Sequence, residues 1–174
     1  MIILGIDTAL ASSGYAVYNT DTESFIELGW IKTTNKNTRG QRLYSIFQEV
    51  DGLNKFHNPD VVAVEDQIYQ RNTETLKTLS QAGGVVLLAC YDRDIYLYKP
   101  KEVKLAAALK GNASKDMVAN VMYDLYQKDA TLNDFLDKFY ITIPFTEKDI
   151  KKINDVTDAM AIITTFLRND ANER

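Results

Sequence analysis

Two short apolar runs, each followed by a carboxylate, constrain the fold of this chain more than any other feature. Residues 2–6 are apolar or small and lead into Asp7, and residues 61–64 lead in the same way into Glu65. Such runs predict strands that are buried on both faces, as in a parallel sheet covered by helices. If the two strands are parallel neighbours, Asp7 and Glu65 meet at the end of the sheet where α/β proteins place their sites.

An acidic residue after one strand is weak evidence of a functional site by itself, since an Asp there is as often a turn or helix-cap residue. A third acidic signal makes the pattern more specific, because Asp155 and Asp158 are three residues apart and share one face of a predicted helix. That face continues into apolar residues, so both acids point inward, which is unfavourable unless they bind something. Ionised carboxylates held close together repel one another, and a divalent cation with oxygen ligands offsets that repulsion most simply.

Hydrophobic periodicity places these acids in a series of strands and helices. Strands are predicted at residues 2–7, 13–19, 25–31, 61–65 and 95–98. Helices are predicted at residues 43–53, 72–90, 102–109, 115–126, 132–139 and 147–167. The first three strands are expected to be antiparallel. Residues 128–150 form an added element to which the pattern assigns no purpose. Gly83 and Gly84 lie within one helix and predict a close approach there, by the sheet or by a partner subunit.

The length and composition favour one globular domain over residues 1–174, because the chain is 174 residues long and 45% hydrophobic. It has no apolar run of about 18 residues and no signal peptide, so we expect a soluble protein in the cytoplasm. The single Cys90 fits a reducing compartment and a packed core thiol. His57 is the only histidine, which excludes His-based catalysis and a His-rich zinc site, and it is expected on the surface.

The net charge of −4 argues against nucleic-acid binding until the distribution of charge is considered. Residues 93–115 are basic within an otherwise acidic chain, and composition alone favours a solvated face and a phosphate-binding face equally. Lys115 is predicted in the first turn of a helix, where free N–H groups and a lysine together make a phosphate site. The basic residues of this segment are Arg93, Lys99, Lys101, Lys104, Lys110 and Lys115, against Asp94 and Glu102.

The four carboxylates predict a nuclease. Acids from two strand ends and one helix can hold two Mg²⁺ ions at the separation of about 4 Å that in-line phosphoryl displacement uses. One ion lowers the pKa of the attacking water, and the other stabilises the leaving 3′-oxygen. The chain contains no glycine-rich Walker loop. The phosphate is therefore expected in a polymer backbone rather than in a bound nucleotide.

The order and spacing of these residues resemble the RuvC-type Holliday junction resolvases of the ribonuclease H-like superfamily. The resemblance covers nearly the whole chain, and phage or viral members are expected to be closest because residues 128–150 are longer than in bacterial members. The matching motifs are residues 5–7 with 13–15, residues 64–65 with 71–72 and 81–84, residues 102–104, residues 114–115 and residues 155–161.

The resemblance implies an α/β, ribonuclease H-like fold with a five-stranded mixed sheet, three antiparallel then two parallel strands, flanked by helices. It implies a homodimer that nicks two strands of like polarity across a four-way junction, with forks or flaps as other branched substrates. Lys104 and Lys115 would contact the scissile phosphate or its attacking water. The implied ligands of two Mg²⁺ ions, with Mn²⁺ as a substitute, are Asp7, Glu65, Asp155 and Asp158.

The family places an aromatic residue near the junction crossover, just after its second acid. Here Ile68 takes that position, with Tyr69 beside it. Either side chain is expected to wedge against unstacked bases or, with equal weight, to pack the loop onto the domain. The complete set expected to bind DNA is Ile68, Tyr69, Arg71, Lys99, Lys101, Lys104, Lys110 and Lys115.

Two other functions fit parts of the pattern. Actin-like and sugar-kinase-like ATPases also begin with a strand, an Asp and a Gly-containing hairpin, but they need two domains and glycine-rich phosphate loops, and 174 residues leave room for one domain. A non-catalytic module that binds branched DNA is disfavoured by the intact set of four acids. Magnesium-dependent nicking separates the nuclease from both.

Overall fold

The computed structural model describes residues 1–67, 72–108 and 110–173 and contains a five-stranded mixed sheet. The strands are β1 (Ile2–Asp7), β2 (Ser12–Asn19), β3 (Ser24–Lys32), β4 (Val61–Glu65) and β5 (Asp94–Tyr98). Their order across the sheet is β3-β2-β1-β4-β5. The first three strands pair antiparallel, whereas β4 is parallel to both β1 and β5. The predicted fold class is thereby confirmed.

The strand register brings the two predicted acids to one end of the sheet. Ile6 of β1 lies opposite Val64 of β4, so Asp7 and Glu65 follow at neighbouring strand ends. We call this end of the sheet the acidic end. Gly14 of β2 pairs with Asp7 and also with Trp30 of β3, so the last residues of β3 reach the acidic end as well.

Helices cover both faces of the sheet and form two hydrophobic cores. Alternate residues of β1 face opposite sides, with Ile3 in one core and Leu4 in the other. Helices α1 and α2 cover the face of Leu4, and the remaining helices cover the face of Ile3. The helices are α1 (Arg39–His57), α2 (Thr73–Ala89), α3 (Pro100–Ala108), α4 (Lys115–Tyr126), α5 (Ala130–Lys138) and α6 (Glu147–Glu173).

Cys90 and His57 were both expected to have no catalytic function, and the structure confirms the expected position of Cys90 but not that of His57. Cys90 is buried in the core under α1 and α2, and burial raises the pKa of its thiol to about 12, as expected of a packed thiol. The expectation of a surface histidine is wrong. The His57 side chain is only 5% exposed, because the last turn of α1 brings its Nε2 within 2.8 Å of Glu27 Oε2 on β3.

The segment around α5, to which the sequence assigned no purpose, covers the edge strand β3. The Asp129 carboxylate accepts a hydrogen bond from the Phe25 backbone N–H (2.7 Å) and caps α5 by accepting another from the Leu132 N–H (3.0 Å). The Thr131 hydroxyl donates to the Phe25 carbonyl (2.8 Å). These bonds satisfy backbone groups that an open sheet edge would leave free for pairing with another chain.

Replacing Asp129 with alanine should lower the free energy of unfolding by about 2 kcal/mol or more. The change removes a helix cap and leaves a buried Phe25 N–H without an acceptor. Urea unfolding of the purified protein measures the loss. Asp134→Ala, an exposed position on the same helix, is the control and should change the stability by less than about 0.5 kcal/mol. Equal stability of the two variants would contradict the capping assignment.

Within the residues that the structure describes, no helix is both long and apolar enough to cross a membrane.

Candidate active site

Two glycines allow α6 to lie directly on the sheet and carry its acids to the acidic end. A Cβ atom on Gly5 would lie 2.8 Å from the Ala159 carbonyl oxygen, and one on Gly14 would collide with the backbone of Asp155. Because Gly14 pairs with Asp7, this close approach places Asp155 beside the end of β1. The helix therefore delivers Asp155 and Asp158 to the same end of the sheet as Asp7 and Glu65.

The four carboxylates are close enough to change one another's ionisation. Burial raises the pKa of Asp7 well above its usual range, and the charges of Asp158, Glu65 and Asp155 raise it further. Burial and then the charge of Asp158 raise the pKa of Glu65 to about 7. The pKa of Asp158 rises to about 6, mainly through burial and with a contribution from Asp155. The structure thus brings together the four acids that the sequence singled out.

Two lysines from the basic segment join this acidic cluster. Lys115 is the first residue of α4, after the Ser114 cap, and its Nζ lies 3.7 Å from Asp158 Oδ2. Lys104 on α3 is near enough to lower the pKa of both Glu65 and Asp158, against the larger effect of burial. Both lysines predicted to contact the reacting phosphate are therefore at the acidic end.

The structure does not bring the other predicted DNA-binding lysines into this cluster. Lys99, Lys101 and Lys110 are exposed. The stem of Lys101 fits against Gly111, where a Cβ atom would lie 2.9 Å from Lys101 Cγ. These three lysines lie on the outer surface of the basic segment. Ile68, Tyr69 and Arg71 lie outside the described residues.

The chemistry of the donor set fits a hard divalent cation. Half-buried carboxylates that repel one another are unfavourable alone, and a cation with oxygen ligands removes that cost. In the described part of the chain, no three His, Cys, Asp or Glu side chains already stand close enough together to enclose a metal ion.

Sequence reasoning attached no function to Thr8, the residue after Asp7. Its side chain is buried, and its hydroxyl is one of two buried side-chain polar atoms in the described residues that have no hydrogen-bond partner. The position of Thr8 at the end of β1 was visible in the sequence, but the missing partner was not. A buried, unpaired hydroxyl beside an acidic cluster is available to a ligand or to a water molecule.

Comparison with known proteins shows which family this chain is similar to. The family model described as "Crossover junction endodeoxyribonuclease RuvC" matches residues 3–145. The RuvC of Dictyoglomus thermophilum is 30% identical over 171 residues, which cover 96% of this chain and 96% of the relative. The RuvC of Alkaliphilus metalliredigens is 34% identical over 166 residues, with coverages of 93% and 90%. Because these alignments span nearly the whole chain, the similarity continues past residue 145 into α6.

A solved structure extends the similarity to three dimensions. The structure titled "T. thermophilus RuvC in complex with Holliday junction substrate" matches with a TM-score of 0.72 and 25% identity, covering 95% of this chain and 92% of that chain. This chain therefore belongs to the crossover junction endodeoxyribonuclease RuvC family, whose members are nuclease enzymes.

Proposed function

We propose that this chain is a single-domain nuclease, residues 1–174, that resolves four-way DNA junctions and related forks or flaps by paired, symmetric nicks. The observation that carries the proposal is the convergence of four acids and two lysines at one end of a ribonuclease H-like sheet. The relatives named as crossover junction endodeoxyribonucleases and the junction-bound structure of a RuvC support the choice of substrate.

Nucleases of this family are metal-dependent. We assign the binding of two Mg²⁺ ions, with Mn²⁺ as a substitute, to Asp7, Glu65, Asp155 and Asp158. When bound, such ions supply charge stabilisation to the transferring phosphate and acidify a water molecule. The strands and α6 hold the four ligands on rigid elements, which fixes where the scissile phosphate must lie.

Lys104 and Lys115 act on the phosphate itself in this proposal. Both carry a positive charge beside the half-buried acids, so they face the position where negative charge develops on the phosphate. Lys115 also stands at the N-terminus of α4, where free backbone N–H groups favour an anion. Lys99, Lys101 and Lys110 bind the DNA backbone farther out, and contacts of Ile68, Tyr69 and Arg71 with DNA stay predictions.

The protein acts as a homodimer, with one active site for each of the two strands that are cut. The surface of α2 supports this assignment. A Cβ atom on Gly84 would meet nothing within 4 Å, so the sheet does not account for the Gly83-Gly84 pair. Leu88 and Leu97 are 61% and 49% exposed beside them. A depression of about 290 Å³ between α2 and the end of β4 adjoins Glu65.

Replacing Gly84 with glutamate should convert the dimer to a monomer without unfolding the domain. A buried charge without a partner opposes association of two apolar α2 surfaces, while open space at Gly84 accepts the side chain. Analytical ultracentrifugation measures the change. Gly52→Glu on α1, which also meets nothing within 4 Å, is the matched control and should remain dimeric. Identical sedimentation of both variants and wild type would remove α2 from the interface.

A labelled four-way junction tests the function directly. With Mg²⁺ we expect paired nicks in two strands of like polarity and much slower cleavage of a linear duplex that has the same sequence. The same preparation is assayed for ATP hydrolysis. Hydrolysis of ATP without nicking would favour the kinase-like ATPase, and junction binding without either reaction would favour the non-catalytic module.

The metal-free protein should become less stable between pH 5 and pH 8. The pKa of Glu65 (about 7) and that of Asp158 (about 6) are raised in the folded state, so the folded protein binds more protons than the unfolded chain in this range. The stability due to protonation is full below about pH 4 and is lost as the pH rises through 6 and 7. Mg²⁺ should restore it most strongly at pH 8.

Thermal melts at pH 5 and pH 8, with and without Mg²⁺, measure this effect. The double variant Asp7→Asn with Glu65→Gln should flatten the pH dependence and lose most of the Mg²⁺ response. A metal-free protein whose melting temperature rises from pH 5 to pH 8 would contradict the assigned cause. Carboxylates with lowered pKa values, such as that of Asp149, titrate below this window and do not disturb it.

We place the protein in the cytoplasm, or in the host-cell cytoplasm if a phage encodes it, because its DNA substrate lies there. The buried, unpaired thiol of Cys90 agrees with a reducing compartment. The relatives named above are bacterial, and a phage origin stays a prediction.

A further inference from the structure

Three lysines surround a pair of aromatic rings formed by β3 and the end of α5. Trp30 and Phe139 pack edge to face with ring centroids 4.6 Å apart. Lys32 Nζ lies 4.4 Å from the centroid of Trp30, and Lys138 Nζ lies 5.6 Å from the centroid of Phe139. Lys152 Nζ on α6 donates a hydrogen bond to the Phe139 carbonyl (3.1 Å). We call Lys32, Lys138 and Lys152 the lysine cluster.

The lysine cluster lies at the acidic end, on the side away from Lys104 and Lys115. Trp30 is in register with Gly14 and, through it, with Asp7, so the cluster lies on the β3 side of the acids. Lys104 and Lys115 lie on the opposite side, towards Glu65 of β4. A polymer that crosses the acidic cluster would therefore meet lysines on both sides.

Helix α6 connects the lysine cluster directly to the metal-binding acids. Lys152 precedes Asp155 by three residues, which places both on one face of the helix. Lys148 and Lys151 fall on the same stripe, each seven residues before one of the two acids. At a rise of about 1.5 Å per residue, Lys152 and Lys148 lie about 9 and 15 Å from Asp158 along the helix axis. These distances correspond to about three to four nucleotides of a DNA strand.

The lysine cluster keeps its charge available in an acidic protein. In the part of the chain that the structure describes, none of its three lysines forms an ion pair within 4 Å. Glu147 pairs with Lys151 (2.6 Å), and Asp149 accepts a hydrogen bond from the Thr146 hydroxyl (2.6 Å), although the charge of Lys152 also lowers the pKa of Asp149. Asp137 is exposed on the last turn of α5. Asp134 is exposed one turn before Lys138. Among the described residues, the three lysines therefore have no ion pair that a polyanion would have to break.

Tyr140 supplies a second, independent signal at the same place. It follows α5 with a left-handed backbone (φ 54°), and the next N–H, of Ile141, donates to the Leu136 carbonyl (2.9 Å). Glycine is favoured at this position of a helix end because a Cβ atom is strained there. The Tyr140 side chain is nevertheless 89% exposed, so the fold gains little from it. An external contact would explain a strained, exposed aromatic residue.

We propose that the lysine cluster and Tyr140 bind the sugar-phosphate backbone of the DNA arm next to the cut, within about four nucleotides of the scissile phosphate. This inference rests on the proposed nuclease function and adds a second DNA surface, formed by the segment around α5. Phosphate contacts of this kind position DNA without reading its sequence. The surface therefore orients the arm and holds it across the acidic end.

Salt dependence tests the lysines. The variant Lys138→Ala with Lys152→Ala is compared with Lys55→Ala with Lys128→Ala, which removes two lysines from the opposite end of the sheet. Junction binding is measured by fluorescence anisotropy in EDTA over a range of salt concentrations. We expect the first variant to lose about two units of the slope of log K against log salt, and the second variant to lose none.

Neutral phosphates locate the contact. A single methylphosphonate is placed at successive positions up to six nucleotides from the cut. A methylphosphonate within about four nucleotides of the cut should weaken binding by the wild-type protein. It should not weaken binding by the double variant that carries Lys138→Ala and Lys152→Ala. Equal losses in both proteins at every position would overturn the proposal.

Tyr140→Gly separates binding from stability. Its melting temperature should equal or exceed that of wild type, while its junction affinity should fall about two- to tenfold. The proposed function is checked in parallel by nicking with wild-type protein. Wild type that nicks junctions, together with a double lysine variant that keeps the full salt slope and a Tyr140→Gly variant that binds normally, would overturn this inference alone. Wild type that fails to nick would overturn the function instead.

Discussion

Asp7→Asn should abolish junction cleavage and raise the melting temperature of the metal-free protein. Asp7 is half-buried at the end of β1, and both the loss of solvent around its carboxylate and three neighbouring acids raise its pKa. Asparagine has nearly the same shape but neither the charge nor the strong metal-ligand character of a carboxylate. The cleavage rate should fall by roughly 10³-fold or more, since metal binding supplies several kcal/mol to the transition state. Removal of repulsion should raise the melting temperature by about 2 to 4 °C, the change that about 1 kcal/mol produces in a domain of this size.

Single-turnover cleavage and metal-free melts give the two readouts, and junction binding in EDTA gives a third. Binding should be unchanged or tighter, because the change removes negative charge from a surface that faces phosphate. Asp124→Asn, an exposed position on α4, is the control and should behave as wild type. Glu65→Gln, Asp155→Asn and Asp158→Asn should also lose cleavage. Normal nicking by any one of the four variants would remove that residue from the metal site.

Gly14→Ala should cost about 3 kcal/mol or more of stability and remove cleavage, although residue 14 touches neither metal nor DNA in this account. A Cβ atom at this position collides with the Asp155 backbone, so α6 must move away from the sheet. Asp155 and Asp158 then no longer meet Asp7. Backbone atoms cannot move away from the new Cβ atom as a flexible side chain can. The loss of stability should therefore be among the largest that overpacking causes.

Urea unfolding and single-turnover cleavage measure the effect of Gly14→Ala. Gly52→Ala is the matched control, because a Cβ atom there meets nothing within 4 Å in the middle of α1. That control should instead gain about 0.5 to 1 kcal/mol, since alanine favours a helix more than glycine does. A Gly14→Ala protein with wild-type stability and wild-type cleavage would show that α6 does not depend on this contact.

The parts of the site that the sequence predicted are those with a local signal. Asp7 and Glu65 follow apolar runs whose length and composition define buried strands, and Asp155 with Asp158 repeats at helical spacing. Lys115 follows the Ser114 helix cap. Each signal lies within about ten residues, so no tertiary knowledge was needed to find it. The family resemblance then supplied the sheet order that joins them.

The parts that the sequence did not predict depend on contacts between distant residues. Asp129 bonds to Phe25 across 104 positions, which explains why the purpose of residues 128–150 was not visible. The closeness of Gly14 to Asp155 appears only when β2 and α6 are packed together. His57 was misplaced for the same reason, because its polar neighbours gave no sign of Glu27 on β3.

Iron-mediated cleavage of the protein chain tests most directly the claim that the carboxylates of β1, β4 and α6 hold the catalytic metal. Fe²⁺ replaces Mg²⁺, and ascorbate with peroxide then generates radicals that cut the backbone near the bound ion. We expect cuts near residues 7, 65 and 155–158, which excess Mg²⁺ suppresses and which the Asp7→Asn variant lacks. Cuts confined to other parts of the chain, or an unchanged pattern in the Asp7→Asn variant, would contradict it.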